Sequence, residues 1–201
     1  TTNTALRVLK QLRYPLVKSI DFGVIPGHGR LARIHYLSEA GKRTLISGTP
    51  LEPHEILAPA KNASLFQRDY FHRIATIQFN IQFQQWLASH GYTLVAMELY
   101  FNRQSIDGQY RSATRTKSHG RFVEPDAVGV YRAHGLFHTF LFEQHNGKDA
   151  KRAIRQIEQH CLGLSDDSYA IRLTQNDTVH IVYVFQNPTC MSVVMKAMLA
   201  S

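Results

Sequence analysis

Residues Arg121–Gln156, RFVEPDAVGVYRAHGLFHTFLFEQHNGKDAKRAIRQ, decide how this chain is read. They predict two consecutive strands and a helix. The first strand, Asp126–Arg132, opens on Pro125-Asp126, and the second, Leu136–Gln144, is apolar and aromatic with Glu143 near its end. A turn at Asn146-Gly147 launches a helix with Asp149 near its start and Ala150, Ala153, Ile154 and Ile157 along one apolar side. Paired as a hairpin, the strands bring Asp126 and Glu143 to the same end. Two carboxylates so placed repel each other unless a cation or a proton lies between them. An oxygen-rich pair suits Mg²⁺ or Mn²⁺ and forms the skeleton of a metal-dependent phosphodiester-cleaving site. The plainer alternative is a turn-opening Pro-Asp and a solvated strand-end Glu.

Working outward, the 201 residues fit one domain, or a core of about 150 residues with a small appendage. An apolar fraction of 44% is ample for a core, and no low-complexity tract argues for disorder. No apolar run approaches the ~20 residues of a membrane span, and no signal peptide is evident. A soluble cytoplasmic protein without membrane insertion is therefore expected. Cys161 and Cys190 lack metal-ligand spacing and read as buried free thiols in a reducing compartment. The chain opens on Thr1, so earlier N-terminal helices are expected to be missing.

The net charge is +8, and residues 1–47 hold +6 of it, with eight Lys/Arg against Asp21 and Glu39. So uneven a split is the footprint of a polyanion-binding module. Thr2-Asn3-Thr4 can cap a helix that runs to about Tyr14, before Pro15. Ala5, Val8, Leu9 and Leu12 take one side of it, and Asn3, Thr4, Arg7, Lys10 and Gln11 the other. That polar face suits a DNA major groove, as it would suit any amphipathic surface helix. Strands Val17–Val24 and Leu31–Leu37 follow, joined by a Gly-rich loop that carries His28 and Arg30, with Arg33 beside it. Helix then basic-tipped hairpin describes the latter part of a winged helix, whose tip touches phosphates or the minor groove.

Residues 48–61, GTPLEPHEILAPAK, hold three of the seven prolines and read as a linker. The predicted organisation is a winged-helix part over 1–47, a linker over 48–63 and a second domain over 64–201. In that second domain a helix is expected over Ser64–His90 and a strand over Thr93–Phe101 with Glu98 near its end. Residues 102–121, with Arg103, Arg111, Arg115, Lys117 and Arg121 against Asp107, read as a flexible DNA-touching hairpin or loop. After the opening motif come strands Tyr169–Thr174 and Val179–Gln186 and a helix after Pro188. This order predicts an α+β or α/β fold, a mixed sheet with helices on both faces.

The stretch Tyr36-Leu37-Ser38-Glu39-Ala40-Gly41-Lys42-Arg43-Thr44-Leu45 resembles the segment closing the winged helix of the replication-relaxation family, which includes the MOB-C plasmid relaxases. Physically, Ser38 would cap a short helix there, and Gly41 would let it pack closely. Residues 64–201 resemble the restriction-endonuclease-like fold, whose pattern is Pro-Asp, a gap, then Asp/Glu-x-Lys. Pro125-Asp126 and Glu143 match it, whereas His145 holds the lysine place. The replication-relaxation family more often has an acidic residue there, so His145 departs from both patterns. His72 resembles the histidine that begins a family helix, and Glu98 matches a third acidic position.

The resemblance implies a relaxase that nicks one strand of double-stranded plasmid DNA at the transfer origin to start conjugative mobilisation. It also implies an accessory relaxosome protein and a coupling protein as partners. Asp126, Glu143 and Glu98 would hold Mg²⁺ or Mn²⁺, and His145 or Lys148 would serve the nucleophile, with Lys151 or Arg155 as substitutes. DNA contacts fall to Asn3, Thr4, Arg7, Lys10, Gln11, His28, Arg30, Arg33, Arg111, Arg115 and Lys117. The alternative is a non-catalytic winged-helix regulator of plasmid replication or transfer with a degenerate nuclease fold, favoured by the missing lysine.

Overall fold

A computed structural model describes residues 2–50, 56, 69–106, 109–164 and 178–200. The chain is a mixed α+β protein that forms two compact units, residues 1–70 with 101–110 and residues 71–100 with 111–201. Most of the expected linker, and the expected strand over Tyr169–Thr174, lie outside the described residues.

In the first unit, helix α1 (Thr2–Gln11) leads to strand β1 (Val17–Ile20), which pairs antiparallel with β4 (Ile34–Leu37). These strands are shorter than the sequence predicts. A second small ladder, β2 (Val24–Ile25) with β3 (Gly29–Arg30), occupies the tip instead. The chain bends between them because the Asp21 carboxylate binds Gly23 N–H, Arg30 and Arg33, tying the middle of the hairpin to itself. Helix α2 (Glu39–Gly48) starts at Ser38, whose hydroxyl accepts the Gly41 N–H and donates to the Pro15 carbonyl. One serine thus caps the helix and fastens it to the start of β1. Gly41 completes that joint, since a Cβ there would sit 2.1 Å from the Leu16 carbonyl oxygen. No residue of α1 is buried within the described structure, and Val8 and Leu12 of its apolar side stand exposed.

The second unit is built on a four-stranded sheet. Strand β5 (Thr93–Leu99) pairs antiparallel with β10 (Ala127–Ala133), β10 antiparallel with β11 (Leu136–His145), and β11 parallel with β12 (Thr178–Phe185). Helix α3 (Tyr70–Ser89) covers one face through Phe79 and Phe83, which stack on Phe142 and meet Phe140 edge-on. Gly129 admits the Phe140 ring on that face, where a Cβ would lie 2.3 Å from it. Helix α4 (Ala150–Leu164) lies between β11 and β12 in sequence, as a parallel pair requires of its connection. Its Leu164 packs with Val123, Val128, Leu141, Val179 and Ile181. Ala153, Ile154 and Ile157 pack on Cys190 and Val194 of helix α5 (Pro188–Leu199), which Asn187 caps. Cys190 is buried as expected, whereas Cys161 is exposed.

Over residues 102–121, which the sequence reads as a hairpin or loop, two short hairpins form. One joins β6 (Arg103–Ile106) to β7 (Gln109–Ser112), and the other joins β8 (Thr116–Ser118) to β9 (Arg121–Val123). No helix of the described residues is long and apolar enough to cross a membrane.

The Gly41 joint yields a stability test. Gly41→Ala must push α2 off the Leu16 carbonyl, and overpacking of this kind costs about 1–3 kcal/mol. A lowered urea midpoint for unfolding of the first unit is the expected outcome, whereas Gly48→Ala, with open space around it, should cost far less.

Candidate active site

The β10–β11 hairpin turns at His134 (φ 51°) and Gly135 (φ 82°), both left-handed. A two-residue loop with two positive φ values is the type I′ turn whose twist matches paired strands, and it fixes the register. Ala133 faces Leu136, and the ladder runs unbroken to Ala127 facing Phe142. Asp126 immediately precedes β10 and Glu143 follows Phe142 on β11, so both lie at this end of the hairpin. Like charges brought together there repel each other.

Two imidazoles answer the charge. His72, in the first turn of α3, has its Nε2 2.7 Å from Asp126 Oδ1. His160, in the penultimate turn of α4, has its Nε2 2.7 Å from Glu143 Oε1. Each Nε2–H donates to the carboxylate, which can only accept while ionised. Asp126 Oδ2 accepts the Gln144 N–H at 2.6 Å, so the aspartate also extends the hairpin ladder where its own strand ends. Both carboxylates are buried, at 7% and 6% exposure, and His160 is at 1%. Burial pushes the Glu143 carboxyl above the ordinary range of a glutamic acid. The hydrogen bond from His160 opposes that shift, and the nearby Asp126 charge reinforces it.

Glu98 pairs with Val128, two residues from Asp126, and therefore projects from the same sheet face one strand away. His145 is buried, but its Nε2 lies 3.2 Å from the Asp149 carbonyl and its ring packs on Phe185. A carbonyl only accepts, so that nitrogen carries the proton and is committed to the first turn of α4. Lys148, Lys151 and Arg155 are exposed. Asp149 Oδ1 accepts the Arg152 N–H and steadies the same turn.

Among the proposed DNA contacts, Asn3, Thr4, Arg7 and Gln11 are exposed on α1 and Lys10 is half-buried. Arg30 and Arg33 converge on one oxygen of Asp21, at 2.6 and 3.0 Å, while His28 sits exposed at the tip. The Gly23 N–H, then Arg30 and Arg33, hold the Asp21 carboxyl down at about 2. Arg111 and Arg115 are half-buried, and Arg115 stacks on Phe122 with its guanidinium carbon 3.9 Å from the ring centre. Lys117 is exposed on the same hairpin.

His160 is the residue that sequence reasoning missed. Its signal was present: Ala153, Ile157, His160 and Leu164 repeat at helical spacing, so one imidazole interrupts an apolar stripe that faces the sheet. Comparison with protein-family models, with curated proteins and with solved structures finds no match for this chain.

Carboxylate oxygens are the donors that a hard divalent ion takes. Among the described residues, no three His, Cys, Asp or Glu side chains stand as a ready-made metal cage. The site is a pair with imidazole support.

The raised Glu143 carboxyl has a pH signature. The folded chain binds this proton more tightly than the unfolded chain, so its contribution is most favourable below the ordinary glutamate range and is lost as pH rises through the raised value. Glu143→Gln keeps an oxygen for His160 and removes the titration. Its urea midpoint should therefore gain on the wild type's as pH rises from the ordinary glutamate range, about 4, through the raised value. A difference that stays flat or narrows over that range contradicts the assignment.

Proposed function

We propose that this chain is a metal-dependent DNA endonuclease that nicks one strand at a plasmid transfer origin, as relaxases of the family it resembles do. The observation that carries this reading is the carboxylate pair. Asp126 and Glu143 lie at one end of the β10–β11 hairpin, nearly enclosed, and individually held by imidazoles. A fold maintains so costly an arrangement where function needs it. Around the four-stranded sheet of the second unit, the order α3, β5, β10, β11, α4, β12 supports a restriction-endonuclease-like assignment. Helix α1, the hairpin and α2 likewise support a partial winged helix.

Asp126 and Glu143 would hold Mg²⁺ or Mn²⁺, with Glu98 on the same face as a further acid. When bound, the ion lowers the pKa of a water and offsets charge on the scissile phosphate. The chain's own contribution is orientation. His72 and Gln144 N–H fix Asp126, His160 fixes Glu143, and the aromatic layer of Phe79, Phe83, Phe140 and Phe142 keeps water from the other face of the sheet. The polar side of α1 would read base edges, while Arg30 and Arg33 would meet phosphates as guanidinium forks. Duplex plasmid DNA is the proposed partner, with an accessory relaxosome protein and a coupling protein following from the resemblance.

A second reading, a DNA-binding regulator with a degenerate nuclease fold, draws on His145. That imidazole faces the Asp149 carbonyl, and the nearby Lys148 is exposed on its turn. Supercoil relaxation separates the two. Wild type is expected to nick with Mg²⁺ or Mn²⁺, and Asp126→Ala and Glu143→Ala to lose nicking while still binding DNA. Intact nicking in either variant removes the assigned site, and a wild type that never nicks favours the regulator.

Binding provides an independent check. The logarithm of affinity should fall with log salt by about 0.9 per phosphate contact. Arg7→Ala should relax sequence preference, and Arg30→Ala should weaken all sequences alike and flatten the salt slope. Salt-independent binding would remove the basic module from the account.

A further inference from the structure

Asp126 and Glu143 are held differently. Asp126 is engaged at both oxygens, by His72 and by the Gln144 N–H. Glu143 is engaged at Oε1 by His160, and its Oε2 makes no hydrogen bond among the described residues. His72 keeps 28% of its side chain exposed, whereas the His160 side chain keeps 1%. An imidazole so enclosed is costly unless its N–H is satisfied, and Glu143 satisfies it.

We propose that His160 is the positioning residue of the site: its Nε2–H holds Glu143 Oε1, so that Oε2 is the oxygen left to meet a divalent ion. This rests on the divalent-ion reading of the pair given above. The support behind the imidazole is rigid. Helix α4 is anchored by Ala153 against Cys190 and Val194 of α5, and Leu164 seats its last turn on the sheet. Tyr183, the β12 residue beside Glu143 in the parallel ladder, stands edge-on to the His160 ring at 6.3 Å. The imidazole therefore cannot swing without disturbing helix, strand and carboxylate together. An outer imidazole or carboxylate that orients a ligand in this way is worth about 10–100-fold in metal affinity.

The test uses Mn²⁺ alone, titrated into the full chain, with the free ion followed by electron paramagnetic resonance. Wild type is expected to bind. His160→Gln, whose amide N–H can reach the same oxygen, should bind close to wild type. His160→Phe, which fills the space without a donor, should bind about 10–100-fold more weakly, with circular dichroism showing a folded chain. Nitrogen-15 resonances of the wild-type histidines give a second measurement that needs no variant. On addition of Mg²⁺ the His160 Nε2 signal should shift and keep its proton. A folded His160→Phe with unchanged Mn²⁺ affinity overturns the proposal. So does an Nε2 that gives up its proton to become a direct ligand, or one that Mg²⁺ leaves unmoved. If wild type binds no Mn²⁺, the divalent-ion reading falls and takes this role with it. Bound Mn²⁺ with an indifferent Phe variant defeats the positioning role alone.

Discussion

The register of one hairpin governs the second unit. His134-Gly135 adopts the turn that only a two-residue loop with left-handed backbone can make, and every pairing between β10 and β11 follows from it. A slip of one residue would turn Asp126 away from Glu143 and expose Phe140 and Phe142 to water. The aromatic layer under α3 and the carboxylates on the other side of β11 therefore enforce the same alignment. Burial of two large rings drives the register, and the charged pair is carried along with it.

Holding two carboxylates at one end of a hairpin at low exposure opposes folding. Burial raises the Glu143 carboxyl, and the Asp126 charge raises it further. A chain selected for stability alone would place apolar residues there, because a well-packed hydrophobic replacement of a buried ion pair is commonly neutral or better. The two imidazoles limit the cost without removing it, and they come from different layers of the fold. His72 enters at the start of α3 and His160 near the end of α4, so the site ties both covering helices to the central hairpin.

The first unit solves a different problem with similar means. Asp21 draws Arg30, Arg33 and the Gly23 N–H to a single carboxylate, which bends the hairpin and presents its guanidinium groups in fixed orientation. Exposed pairs of this kind contribute little to stability. Their effect is geometric. Ser38 and Gly41 then lock α2 against the start of β1 through the Pro15 and Leu16 carbonyls.

Local chemistry was readable from the residues. The hairpin of Arg121–Gln156, the cap at Ser38, the close approach at Gly41, the strand with Glu98 and the helix after Pro188 all follow from turn residues, period and capping. That Asp126 and Glu143 come to the same end of the hairpin was legible from the strand pattern, whereas the register was set by the two-residue turn at His134-Gly135 that the structure shows. The parallel pairing of β11 with β12, and the halves of the site contributed by α3 and α4, were decided by tertiary structure. His145 looked like the active histidine because it lies two residues from Glu143, yet packing commits it to the Asp149 carbonyl. His160, seventeen residues from Glu143, reaches it because α4 folds back over the sheet. Sequence fixes what neighbours in the chain can do to one another. Which distant imidazole meets which carboxylate depends on where a helix settles, and that is set by the apolar faces it must bury.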